Sequence, residues 1–171
     1  MPRPKPPQPD YLQAAPLSDG VRALARRGEL CRFSKGAVLI QEGAVGDTIY
    51  IVLDGKVRSY GSHMANEREI TYGIYGPGEY VGEMGLDGLP RSASVMALEP
   101  TVCSMVTRRT LEAHLAEQPD FAFELLAKVI RRARIATLNA RQLALNDVYG
   151  RLKALLLNLS QALPDSTRRT L

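Results

Sequence analysis

The sequence predicts a mainly β plus α protein: an antiparallel β jelly roll flanked by short helices and followed by a long C-terminal helix. Three observations carry that expectation. Between Leu30 and Val106 short β-type runs alternate with turn signals at the spacing of a sandwich or barrel. After Thr107 the period of the apolar residues switches to helical. Within the last helical run the apolar positions narrow to a heptad seam. A chain of 171 residues suits one compact domain with attachments, and its hydrophobic fraction of 45% is ordinary for a globular protein.

Residues 1–16 are expected to be a disordered, Pro-rich tail. Five prolines fall in the first nine residues, and such a segment buries too little apolar surface to offset the entropy of ordering. The β-roll domain with its flanking helices is assigned to 17–118. It opens with a short helix around "LSDGVRALARRG", which Ser18 or Asp19 can cap and Gly28 can end. The strand runs are "AVLIQEG", "TIYIVLDGKVRSYG", "REITYGIYGPGEYV" and "ASVMALEPTVCSMV". Ile49, Ile51 and Leu53 alternate to one face, Asp54-Gly55 reads as a hairpin turn, and Gly76-Pro77-Gly78 is a second break.

"TRRTLEAHLAEQ" predicts one short helix, and Pro119 stands where the next begins. That long helix, assigned to 119–145, runs for about two dozen residues, or roughly 35–40 Å. Ala122, Leu126, Val129, Ala133, Ala136, Ala140 and Leu143 recur along it at alternating steps of four and three, a seam suited to a second copy of the chain. Leu125, Ile130, Leu138 and Leu145 fall on the other side and could pack on the roll. Arg131, Arg132, Arg134 and Arg141 read as a solvated flank. Residues 146–171 predict a further helix, capped by Asp147, and then a linker.

Composition excludes several classes of function. A net charge of +4, from 22 Lys and Arg against 18 Asp and Glu, is too mild to argue for nucleic acid by itself. Cys31 and Cys103 sit in separate apolar segments without metal-ligand spacing, so two buried thiols are expected. The two histidines, His63 in a loop and His114 on a helix, do not suggest a shared metal, which disfavours the metal-dependent chemistry that other jelly-roll enzymes perform. No apolar run approaches a membrane span and no secretion signal opens the chain, so no membrane association and a cytoplasmic location are expected.

The segment "GEMGLDGLPRSA", Gly82 to Ala93, places Glu83 and Arg91 close to apolar strands, where each needs a partner. Either they pair with each other, or they serve a ligand. In order and residue type the segment resembles the phosphate-binding cassette of cyclic nucleotide-binding domains. "KGAVLIQEG" and "LDGKV" match the glycine-marked strand turns of the same family, and the succession of roll, short helix and long helix resembles the Crp/Fnr regulators from about Leu30 to Ser160.

The resemblance implies a cyclic nucleotide effector, in the first place cAMP, and no metal. It implies that Arg91 neutralises the phosphate with its planar fork, Ser92 donates to a phosphate oxygen, and Ala93 offers its backbone N–H. Glu83 would accept from the ribose 2′-hydroxyl, while Gly82 and Gly85 allow close backbone approach and Met84 and Leu86 pack inward. The loop between Glu83 and Arg91 is shorter than in the best-known member. Where responsive members carry two consecutive hydroxyl residues that read adenine, this chain has Ala136 and Thr137. The family further implies a homodimer, with DNA bound only through a helix-turn-helix domain that this chain does not contain. Within the resemblance, a dimerisation module for another effector or for none is the alternative to a cAMP-controlled transcription regulator.

Overall fold

The computed structural model describes residues 10–63, 68–145 and 156. Eight strands form two four-stranded antiparallel sheets. They are β1 (Glu29–Phe33), β2 (Val38–Ile40), β3 (Thr48–Asp54), β4 (Val57–His63), β5 (Arg68–Tyr75), β6 (Tyr80–Val81), β7 (Ser94–Ala97) and β8 (Thr101–Thr107). One sheet has the order β1-β8-β3-β6 and the other β2-β7-β4-β5. This is the predicted jelly roll. Its core lies between the sheets, where Ile40, Val52 and Val57 meet Val81, Val95 and Cys103.

Asp54-Gly55 does not make a hairpin. β3 and β4, which it joins, belong to different sheets, so the turn carries the chain across the sandwich. The turn chemistry is as expected, with Gly55 at φ +79° and Thr101 Cα 2.8 Å from where a Cβ would stand. Strand partners, however, are chosen by the sandwich and not by the turn. Gly76-Pro77-Gly78 likewise hands the chain from β5 to β6 in the opposite sheet.

Ile49, Ile51 and Leu53 share a face and are buried, as the alternation predicts. Val52 is buried too, on the inter-sheet side. Both faces of this sheet are covered because α1 (Tyr11–Ala14) touches β3, while α2 (Asp19–Ala25) and α3 (Arg108–Glu117) pack on β8. Ser104 on that outer face donates its hydroxyl to the Ala25 carbonyl at 2.7 Å. Each fully buried Ile or Val here contributes about 1.5–3 kcal/mol.

The expected tail is partly ordered: Asp10 caps α1, and Ala15 and Leu17 are buried beyond it. The apolar residues that follow the prolines are enough to fix the segment. Ser18 caps α2, its hydroxyl accepting from the Val21 amide at 3.3 Å. The helix ends at Ala25, before Gly28. Gly28 instead lets the chain pass over β8, since a Cβ there would collide with the Ser104 hydroxyl and come within 2.6 Å of the Met105 carbonyl.

The chain divides into two compact units, 1–121 and 122–171. The long helix α4 runs from Phe121 to Leu145, and the further helix expected after Asp147 lies outside the described residues. Among the seam positions Leu126, Val129, Ala133, Ala136 and Ala140 are exposed, and Leu143 lies on the same helix. The exposed apolar surface extends past the seam to Phe123, Ile130, Ile135 and Leu138.

Candidate functional site

The cassette begins where β6 ends. Tyr80 and Val81 are buried in the roll, and Gly82 then turns the chain at φ +92° into a 3-10 turn, Glu83–Asp87. The Gly85 amide donates to the Gly82 carbonyl at 3.2 Å, and the Leu89 amide donates to Asp87 Oδ1 at 2.9 Å. The turn is therefore held by its own bonds before the chain reaches Pro90 and Arg91.

Arg91 is the centre of the site. It is only 6% exposed. Its Nη1 donates to the Gly82 carbonyl at 2.6 Å, and its Nη2 donates to the Thr48 carbonyl at 2.8 Å and to the Thr48 hydroxyl at 3.2 Å. Its backbone is tied to the β2–β3 loop, donating to the Ala44 carbonyl at 2.9 Å and accepting from the Gly43 amide at 2.8 Å. Carbonyl oxygens orient the guanidinium but do not neutralise it, so an anion is the chemical complement of the bonds already made.

Gly85 is the buried residue of the turn because the guanidinium lies against it. A Cβ there would stand 2.5 Å from Arg91 Nη1 and 2.8 Å from the Gly46 carbonyl. Met84 does not pack inward as expected; it is 62% exposed, and the Ser92 hydroxyl contacts its sulfur at 3.3 Å. The guanidinium and Gly85 fill the inner side of the turn, which leaves the thioether outside. Leu86 is half-buried.

Two serines follow Arg91, and the fold separates their roles. Ser94 is buried, accepting from the Glu42 amide at 3.0 Å and from Gln41 Nε2 at 3.3 Å, so it holds the loop. Ser92 is exposed beside the turn and Ala93 is half-buried. Gly82, Glu83, Met84, Gly85, Arg91, Ser92 and Ala93 are thus gathered in one short stretch of the first unit. Thr137 lies on α4 in the second unit, its hydroxyl donating to the Ala133 carbonyl at 2.9 Å.

Thr48 and Gly46 were not evident from the sequence. They are distant from Arg91 along the chain, and neither a hydroxyl nor a glycine in a loop signals an arginine partner. The sequence did not single out Tyr72 either. A bulge in the β4–β5 ladder, where Ser59 pairs with Gly73 and Tyr60 with Thr71, leaves Tyr72 over Gly61, where a Cβ would meet its phenol oxygen. Gly61 follows Tyr60, which pairs with Ser94 at the end of the cassette. Among the described residues no three His, Cys, Asp or Glu side chains converge, and no described helix is long and apolar enough to cross a membrane.

The family model described as "Cyclic nucleotide-binding domain" matches residues 30–118, more than half of the chain. The chain belongs to that family. Its relatives place this cyclic nucleotide-binding domain in the Crp/Fnr family. The "CRP-like cAMP-activated global transcriptional regulator" of Mycobacterium tuberculosis is 31% identical over 142 residues, covering 82% of this chain and 63% of that protein. The catabolite activator protein of Thermus thermophilus is 31% identical, with a TM-score of 0.67 over 90% of this chain and 73% of that one. The c-di-GMP responsive regulator CLP of Xanthomonas campestris shares the fold at 22% identity, with a TM-score of 0.73 over 87% of this chain and 74% of that one. The domain here spans less than two thirds of the length of the curated relatives it matches.

Proposed function

We propose that this cyclic nucleotide-binding domain takes up cAMP at the cassette and, through a homodimer formed along α4, controls DNA binding by a region outside this chain. The observation that carries the reading is Arg91, buried and aimed by the carbonyls of Gly82 and Thr48 at the foot of a glycine-marked turn. In this reading Arg91 neutralises the cyclic phosphate while Ser92 and the Ala93 amide bond its oxygens. Glu83 accepts from the ribose 2′-hydroxyl, Gly82 and Gly85 let the backbone approach, and the exposed Met84 closes over the sugar edge. Tyr72, over Gly61, offers an aromatic wall on the base side.

Thr137 is the residue that would link the base to the dimer seam of Leu126, Val129, Ala133, Ala136, Ala140 and Leu143. A nucleotide that favours one arrangement of the seam shifts the population toward it. With Ala136 replacing a hydroxyl, one neutral hydrogen bond is lost, worth about 0.5–1.5 kcal/mol, or roughly tenfold or less in affinity. Response to another effector is the second reading, favoured by that substitution; the same fold serves the c-di-GMP responsive CLP.

Isothermal titration calorimetry with cAMP and then cGMP, on the native chain and on Arg91→Lys and Tyr72→Ala, tests the proposal. Micromolar or tighter binding that weakens at least tenfold in Arg91→Lys supports it, and the ratio of the two affinities reports base choice. Negligible heat for both nucleotides in a folded sample overturns it in favour of another effector or none.

A further inference from the structure

His114 is a buried, titratable side chain that the proposed ligand chemistry does not use. It lies in the last turn of α3 and is 0% exposed, and neither ring nitrogen has a hydrogen-bond partner among the described residues. The imidazole packs edge-to-face with Phe121, the first residue of α4, at 5.0 Å between centroids and 77° between planes. The backbone of Gly20 in α2 faces the ring without reaching hydrogen-bond geometry. The charged groups acting on it are Arg27, just after α2, and Glu117, three residues further along α3. These two are bonded to each other across the edge of the same packing.

A neutral imidazole fits this setting better than an imidazolium, because the Gly20 backbone that faces the ring falls short of a hydrogen bond and the ring is closed to water. Glu117, the Gly20 backbone and the α3 carbonyl terminus favour the charged form, whereas burial and Arg27 oppose it. Burial is the largest effect, and it holds the His114 pKa below the ordinary imidazole value.

We propose that His114 makes the joint between α3 and α4 acid-sensitive: taking up a proton requires the ring to leave Phe121 and reach water, so acidification opens the joint. The sign follows from linkage. Once the pH falls below the unhindered imidazole pKa of about 6.5, the open state binds a proton that the closed state refuses. The opening equilibrium then rises by up to about tenfold per pH unit, until the pH reaches the lowered value of the closed form. The proposal concerns the joint alone and stands whether or not the cassette binds a nucleotide.

Amide hydrogen exchange of residues 111–121, expressed as protection factors at pH 7.5 and 5.5, tests it on the native chain and on His114→Leu, which keeps the apolar bulk. Protection is expected to fall, by up to about tenfold, between the two values in the native chain and to stay constant in His114→Leu. No fall in the native chain, or the same fall in the variant, overturns the proposal. Should His114→Leu not fold, proton NMR of the native imidazoles decides, with His63→Gln assigning the two histidines. A His114 signal that titrates at the ordinary value without any change at the Phe121 ring also overturns it.

Discussion

Arg91 shows how one residue serves the fold and the site together. Its fork donates to the Gly82 carbonyl and to the Thr48 carbonyl at the start of β3, so truncating it would loosen the turn as well as remove the proposed ligand contact. For this reason Arg91→Lys is the more informative binding variant. Gly85→Ala is expected to destabilise the chain by about 1–3 kcal/mol, because the new methyl meets Arg91 Nη1 at 2.5 Å and the Gly46 carbonyl at 2.8 Å. Urea denaturation measures that loss; an unchanged midpoint would show that the guanidinium can move aside freely. Cys103 is a residue of the opposite kind. It stands across the β1–β8 register from Cys31, and burial pushes its thiol up to about 12. At pH 8 only about one thiol in ten thousand is thiolate, so Cys103 should resist maleimide in the native chain while the half-buried Cys31 reacts first. Because the folded pKa is raised, the unfolded thiol ionises first as the medium turns alkaline. Stability contributed by Cys103 is therefore complete below about pH 8.5 and declines from there up to about pH 12.

At the scale of elements, β3 and β8 carry most of the architecture. Each has one face in the inter-sheet core and the other under a helix, which is why simple alternation described only half of their burial. The 3-10 turn of the cassette sits at the end of β6, a strand only two residues long, so Arg91 and its carbonyls do the positioning that a longer strand would do elsewhere. The α4 helix presents Leu126 and Val129 exposed, along with Phe123, Ile130, Ile135 and Leu138. A helix with that much apolar surface needs a cover, and the heptad spacing suits a second copy. Leu126→Glu is expected to move the chain toward monomer by at least tenfold in dimer dissociation constant, read by sedimentation equilibrium. A monomeric native chain, or an unaffected dimer, would remove the seam from the account.

At the scale of the whole molecule, residues 1–121 and 122–171 form separate compact units. The acid-sensitive joint at His114 and Phe121 lies where the first unit ends, and the cassette lies elsewhere in the roll. In the proposed reading, protons and nucleotide therefore act at different places in the first unit. The prediction at this scale is that affinity for cAMP changes far less between pH 7.5 and 5.5 than the protection of residues 111–121 does. Calorimetry at the two pH values checks it.

By itself the sequence determined the jelly roll, the cassette and the long helix, because each is written in local pattern: turn glycines between apolar runs, Glu and Arg in order within one glycine-marked segment, and apolar steps of four and three. Only the tertiary structure decided which strands pair, since Asp54-Gly55 has hairpin chemistry yet joins two sheets. It also decided that Thr48 anchors Arg91, that Ser94 is a strut while Ser92 stands free of the core, and that Met84 faces outward. Those choices depend on residues brought together from distant parts of the chain. There burial and the need to satisfy every buried polar group select among arrangements that local pattern leaves equal.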